Sequence, residues 1–409
     1  MREMKDSGVK WIGEIPVTWN VYRNKNAFVC SKDLVGGKSS ETQLLSLTTK
    51  GIKLKDINNA EGKLPESFDT YQYVKKDEMV MCLFDLDCSA VFSGLSPYDG
   101  MISPAYKVLT CTDRMEPKYA DYWFQYISHG RKFNHYAKNI RYTLSYEEFS
   151  ALPMLFTDRE EQIRISNYLD AKCSKIDEII EKQHAIIEKL KEYKLSYINE
   201  VTNVNDGIKC HLGFIGQMKN GLNFTDTSEG HKIKFLGVGD FKDNFFVDKE
   251  EMFSTIISEE NVAEDYMLHS GDIVFVRSNG SKELVGRAVM VNGIEYPVTY
   301  SGFCIRFRNI RPDIIDSKFL LYYFRSLDFR KQLEKYSQGS NISNLNQDLL
   351  SSLQFTIPSK DYQKRRLDEM EIKCKEIDNA VIKFEGMNNK LQEYKKSLIY
   401  EVVTGKKEV

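Results

Sequence analysis

The side chains best suited to chemistry fall in polar stretches rather than in a catalytic cluster. Arg277-Ser-Asn-Gly-Ser-Lys282, followed by Arg287, leaves a strand-like run and enters a glycine-containing loop. Arginine and asparagine can pair bidentately with guanine and adenine edges, while serine and lysine can hold phosphates. Arg277, Ser278, Asn279, Lys282 and Arg287 are therefore candidate contacts to nucleic acid. Lys138-Asn139-Ile-Arg141-Tyr142 offers a second set, in register with Gly339-Ser340-Asn341 two hundred residues later. Lys138, Asn139, Arg141, Tyr142, Ser340 and Asn341 join the candidates; the plainer account of each is a solvated loop. Cys82 with Cys88, and His129 with His135, are spaced like isolated pairs without a second pair to complete a metal shell. No metal is expected. No G-x-x-x-x-G-K-S/T loop is present to cradle a nucleotide, and the carboxylates form no spaced acidic cluster with a following lysine. No catalytic residue is assigned.

Two motifs invite an enzymatic reading. Phe235-Leu-Gly-Val-Gly239 fits the F-x-G-x-G cofactor turn of DNA methyltransferases, and Ser103-Pro-Ala-Tyr106 resembles their S/D/N-P-P-Y tetrad. The cofactor turn requires a strand, a glycine turn and then a helix, and Asp240-Phe241 does not open one. Ala105 also replaces the second proline. A strand and a turn within a binding module is the better reading.

The elements that position these loops are written twice. Leu190-Lys-Glu-Tyr-Lys-Leu-Ser-Tyr-Ile-Asn-Glu-Val201 and Leu391-Gln-Glu-Tyr-Lys-Lys-Ser-Leu-Ile-Tyr-Glu-Val402 match at an offset of 201 residues. The register holds upstream: Lys175-Ile-Asp177 faces Glu376-Ile-Asp378, Cys173 faces Cys374, Gln162 faces Gln363, and Leu144 faces Leu345. Lys118 to Phe124 resembles Lys318 to Phe324 after a one-residue slip. Further towards each half's beginning the likeness fades to strand texture: Asp77-Glu-Met-Val-Met-Cys-Leu-Phe and Gly271-Asp-Ile-Val-Phe-Val both read as a turn entering a buried strand, and Gly302-Phe-Cys-Ile-Arg-Phe-Arg alternates.

The kept segments read as long helices with heptad seams. The first runs through Leu169, Cys173, Ile176, Ile180, Gln183, Ile187, Leu190, Lys194, Tyr197 and Val201. The second runs through Met370, Cys374, Ile377, Val381, Phe384, Asn388, Leu391, Lys395, Leu398 and Val402. Ile176, Ile180, Ile187, Leu190, Ile377, Val381, Leu391 and Leu398 are the apolar core of the predicted coiled coil. Thr157 or Asp158 is expected to cap the first helix and Asp361 the second. At 1.5 Å per residue the first helix extends roughly 65 Å, the length of a spacer. The expected fold is α+β: strand-rich modules at 1–157 and 204–357, spacer helices at 158–203 and 358–409, the helices forming an antiparallel coiled coil, and a tandem duplication with pseudo-twofold symmetry.

With 409 residues and 42% hydrophobic composition the chain can bury more than one core. Lys and Arg total 57 against 59 for Asp and Glu, so any pull on nucleic acid must come from local patches. Eight cysteines without a C-x-x-C pair, a polar opening and no apolar run of bilayer length point to reduced thiols in a cytoplasmic chain without a membrane segment.

Trp11-Ile-Gly-Glu-Ile-Pro16 with Trp19, Gly100-Met-Ile-Ser-Pro-Ala-Tyr106, and Leu152-Pro153 ahead of Glu160-Glu-Gln162 resemble signatures of type I restriction-modification specificity subunits, and the duplicated layout covers nearly the whole chain. The resemblance implies a subunit without catalysis of its own. Each module would read one half of a bipartite target in double-stranded DNA. The paired helices would hold the modules apart and dock two modification (methyltransferase) subunits, and through them the restriction subunits. S-adenosylmethionine, ATP and magnesium would belong to those partners, leaving this chain without a cofactor. Tyr362-Gln363 where the first copy has Glu161-Gln162, and Asp77-Glu78 where the second has Gly271-Asp272, depart from a literal repeat. The alternatives are a DNA methyltransferase, or a coiled-coil scaffold in which the modules are incidental.

Overall fold

The computed structural model describes residues 2–56, 65, 67–86, 92–137, 142–224, 230–258, 261–336 and 344–409, with the side chains of Lys282 and Tyr336 left aside. The α-helices among them are α1 (Pro117–His129), α2 (Tyr146–Ala151), α3 (Arg159–Thr202), α4 (Leu212–Ile215), α5 (Ser317–Phe324), α6 (Leu327–Tyr336), α7 (Gln347–Ser352) and α8 (Lys360–Val403). None of these is long and apolar enough to cross a membrane. Two compact units result, one made of residues 1–183 and 385–409, the other of 184–384.

The first unit has a neck in which Asn20–Arg23 and Pro153–Phe156 pair antiparallel. Beyond it lies a four-stranded sheet in the order Phe28–Cys30, Lys107–Cys111, Met79–Met81, Ser93–Leu95, antiparallel throughout. Met79, Val80 and Met81 are all buried, so this strand is covered on both faces. Helix α1 supplies the aromatic side of the core, where Tyr119, Trp123 and Phe124 meet Trp19, Phe133 and Phe149.

Asp121 on α1 accepts from the Leu95 N–H at 3.2 Å and the Gln125 amide at 2.9 Å. Burial outweighs both bonds and pushes its carboxyl up to about 6. Over the window between the ordinary carboxylate value and about 6 the folded chain holds a proton that the unfolded chain has released, so this group's contribution to stability falls as pH rises. Asp121→Asn should therefore gain on the wild type between pH 4 and pH 7.5, as read by urea midpoints. A constant difference across that range would refute the assignment.

The second unit repeats the neck with Ile208–His211 against Gln354–Ile357. Its main sheet has the order Gly216–Asn220, Cys304–Asn309, Ile273–Val276, Ala288–Val291, Phe246–Val247; only the last pairing is parallel. A three-stranded sheet, Ser254–Ser258, His231–Leu236 and Val298–Tyr300, is added beside it. Ile273, Phe275, Ile305 and Phe307 face α5 and α6 through Phe319, Phe324 and Phe329, while Val274, Val289 and Val298 build a second core on the opposite face.

Within each unit a part of α3 runs antiparallel to a part of α8. In the first, Lys395 Nζ lies 2.6 Å from the Asp177 carboxylate and Lys407 sits over the Tyr168 ring. In the second, Lys194 lies 2.7 Å from Asp378 and the Tyr362 hydroxyl donates to the Val201 carbonyl at 3.0 Å. The two Lys–Asp pairs are the same pair displaced by the 201-residue repeat. Ile176, Ile187, Ile377 and Leu398 are buried, and Ile180, Leu190, Val381 and Leu391 half-buried, between exposed flanks. Lys194 and Lys395 are thus seam residues that carry their own counter-ions. Gln183 and Asn388 are buried, with Gln183 Oε1 and both polar atoms of Asn388 lacking a protein partner among the described residues.

The helix starts differ in one detail from expectation. Asp158 caps α3 by accepting from the Glu161 N–H at 2.8 Å, but Ser359, its equivalent, stands at the start of α8, accepting from the Tyr362 N–H at 3.3 Å. Asp361 lies inside the first turn, where its charge suits the helix dipole without capping.

Candidate nucleic-acid interface

In the second unit the buried strand Ile273–Val276 ends at Arg277, and three bonds fix that residue. Its N–H donates to the Phe303 carbonyl at 2.7 Å, its carbonyl accepts from the Leu345 N–H at 2.8 Å, and Nη1 donates to the Gly302 carbonyl at 3.2 Å. Ser278 next bridges Asn344, and the Asn279 side chain folds back to accept from the Ser281 N–H at 2.8 Å. Lys282 opens a single 3-10 turn, and Gly286, at φ +82°, returns the chain to the sheet. Arg287 is turned onto the 242–243 loop, donating to the Lys242 carbonyl and pairing with Asp243 at 3.0 Å. Arg277, Ser278 and Asn279 are thus brought together at one end of the sheet, whereas Arg287 is engaged by an acidic neighbour.

Across from Arg277, the strands Val298–Tyr300 and Cys304–Asn309 are joined by a tight turn. Cys304 N–H donates to the Ser301 carbonyl at 2.8 Å, and Phe303 N–H to the Ser301 hydroxyl at 3.2 Å. Gly302 N–H donates to the Leu222 carbonyl at 2.7 Å, and a Cβ at Gly302 would lie 2.1 Å from Asn223 Oδ1. Phe303 and Asn223 belong to this end of the sheet and were missed in the sequence, where the stretch from Gly302 reads only as an alternating strand.

The first unit repeats the closing bonds of this construction. Leu144 N–H donates to the Leu83 carbonyl at 2.8 Å, as Leu345 does to Arg277, so Leu83 occupies Arg277's place. Ser103-Pro-Ala-Tyr106 forms the equivalent turn: Tyr106 N–H donates to the Ser103 carbonyl at 3.1 Å and Ala105 N–H to the Ser103 hydroxyl at 3.4 Å. Tyr142 sits nearby in the left-handed region at φ +45°, half-buried, its carbonyl accepting from the Leu86 N–H and its ring packed on the core. Lys138, Asn139, Arg141, Ser340 and Asn341 lie outside the described residues.

The enzyme-like motifs resolve into structure of this kind. Ser103 to Tyr106 is a turn, and Phe235 to Gly239 leaves a strand for one 3-10 turn, Val238–Asp240, closed by the Gly237 N–H on the Asp240 carboxylate at 2.8 Å. Among the described residues the next element after this turn is the short strand Phe246–Val247, not an α-helix whose N-terminus could meet a cofactor. Burial pushes the Cys111 and Cys304 thiols up to about 12 and Cys374 up to about 11, away from nucleophilic thiolate. Among the described residues no group of three His, Cys, Asp or Glu could hold a metal ion.

Comparison with known proteins gives a consistent picture. Residues 210–399 match the family described as the type I restriction modification DNA specificity domain. The chain is 25% identical over 146 residues to the EcoKI specificity subunit of Escherichia coli K12, and 24% identical over 145 residues to the StySPI specificity subunit of Salmonella potsdam. These matches cover 36% and 35% of this chain and span 31% and 30% of the relatives' own lengths. The fold is similar, with a TM-score of 0.72 at 13% identity, to a chain in a structure concerned with complex assembly and conformational transition of the type I restriction-modification system; the match covers 95% of this chain and 98% of that one.

Proposed function

We propose that this chain, whose second half carries the type I restriction modification DNA specificity domain, is the sequence-reading subunit of such a system. It reads a bipartite target in double-stranded DNA, one module to each half-site, and performs no catalysis. The observation that carries this reading is the duplicated sheet end. Ser103 to Tyr106 beside Leu83, and Ser301 to Cys304 beside Arg277, share the two bonds that close the turn and the bond from Leu144 or Leu345 to the strand end, but not their side chains. A constant frame bearing different residues is what two half-sites of different sequence require, because base identity is read by side chains on groove edges while the frame sets their reach.

The helices supply the docking faces. On α3 in the second unit Ile186 and Tyr193 are 40% and 50% exposed, one heptad apart; on α8 in the first unit Met387 and Tyr394, their counterparts in the repeat, are 41% and 54% exposed. An apolar pair on the outer face of an already paired helix suits a further helix. We assign these faces to two modification subunits, through which restriction subunits join. S-adenosylmethionine, ATP and magnesium belong to those partners.

Co-expression with the modification subunits, followed by mapping of methylated sites, tests the reading. A bipartite target is expected. Exchanging residues 20–157, which take in both paired neck strands, for those of a relative should change one half-site completely and leave the other. Both halves changing together, or methylation without sequence preference, would refute it.

A further inference from the structure

A lone exposed apolar side chain is common on protein surfaces and by itself means little. Phe303 differs in how firmly it is presented. The residue is 58% exposed. Yet its N–H, its carbonyl and both backbone polar groups of Gly302 are bonded, to Ser301, Arg277, Leu222 and the Arg277 guanidinium. The close approach of Asn223 to Gly302 leaves no room for a side chain there. A ring held out on so fixed a backbone loses little conformational freedom on contact, which is how aromatic side chains serve at recognition surfaces. Around it stand Arg277, Ser278 and Asn279, groups suited to base edges and phosphates.

The equivalent position in the first unit is Ala105, also exposed, on a turn closed by the same two bonds, both accepted by Ser103. The frame is repeated and the tip residue is changed. Resting on the DNA-reading function proposed above, we infer that the tip of this turn is a specificity-determining contact in each module, and that Phe303 packs its ring on apolar base-edge surface in the half-site read by the second. In the major groove that surface is the C5-methyl group of thymine.

The test uses the full chain in complex with its modification subunits, on a target first established for the wild type by methylation mapping. Phe303→Ala should relax discrimination about tenfold at one thymine-bearing position of the second half-site. Replacing that thymidine by deoxyuridine should weaken wild-type binding and leave the variant unaffected. Ala105→Phe should alter preference in the first half-site alone. Neither change touches a buried side chain, and unaltered thermal melting would verify the fold. The inference is overturned if Phe303→Ala leaves every position of the second half-site as strict as before, relaxes only positions without thymine, or relaxes both half-sites together. A wild-type complex without sequence preference would instead bring down the proposed function, so the two failures are distinguishable.

Discussion

Gln363→Ala is expected to destabilise the second unit by about 3 to 5 kcal/mol, a large share of what holds a domain folded. Gln363 is 1% exposed and every polar group of its amide is used. Its Oε1 accepts from the Asp316 N–H at 2.9 Å, and its Nε2 donates to the carbonyls of Ile314 and Pro358, both at 2.8 Å. The side chain thereby ties the entry of α5 to the entry of α8. Truncation strands one N–H and two carbonyls, each costing about 1 to 3 kcal/mol when left unpaired in a buried place. Gln162→Ala should cost the first unit a similar amount, because Gln162 accepts from the Glu116 N–H at 2.8 Å and donates to the Arg114 and Thr157 carbonyls at 3.0 and 2.9 Å. Gln→Glu is no remedy, since a carboxylate would face two carbonyl oxygens. Denaturant unfolding of each variant measures the loss, and a value below about 1 kcal/mol would mean that water replaces the amide.

The register match of Gln162 with Gln363 was legible in the sequence; its cause was not, because four of the six partners are backbone groups brought in from the segments that lead into α1 and α5. The seams of α3 and α8 were legible for a different reason. A heptad reports burial directly, and the residues from Ile176 to Leu190 and from Ile377 to Leu398 lie where the spacing put them. The modules were the hard part. Their likeness appeared to fade before Tyr106 and Phe307, but the strand Met79–Met81 and the strand Ile273–Val276 hold equivalent places with equivalent turns. Backbone bonding does not need the same side chain. The candidate loops suffered from this most: the charge of Arg287 was visible, and its pairing with Asp243 across the loop was not. Phe303 looked like one more step of an alternating strand because its turn depends on Leu222 and Arg277, distant in sequence.

The turn that opens those two strands gives the second large effect. Asp272→Ala should cost the second unit about 3 kcal/mol, and Glu78→Ala should cost the first only about 1 to 2 kcal/mol. The frames are alike: Asp272 accepts from the His269 N–H and Glu78 from the Lys75 N–H, both at 2.8 Å, after residues in the left-handed region, Gly271 at φ +92° and Asp77 at φ +65°. The remaining partner differs. Asp272, 2% exposed, takes a bidentate pair from Arg308, with Nε and Nη2 both at 2.7 Å, and this pairing holds the Arg308 pKa above its ordinary value. Glu78 takes the Thr110 hydroxyl at 2.6 Å. Removing Asp272 therefore leaves a largely enclosed guanidinium with a carbonyl partner at Met267 and no counter-ion in that place, whereas removing Glu78 strands only neutral donors. Arg308 retains some contact with solvent, which keeps the cost at the low end of that for a broken buried pair. The double change Asp272→Glu with Arg308→Thr, which rebuilds the first module's pair in the second, should recover most of the loss. If Asp272→Ala and Glu78→Ala proved equally costly, or the rebuilt pair recovered nothing, the charge would not be what distinguishes the two turns, and the strand leading to Arg277 would be held by its backbone bonds alone.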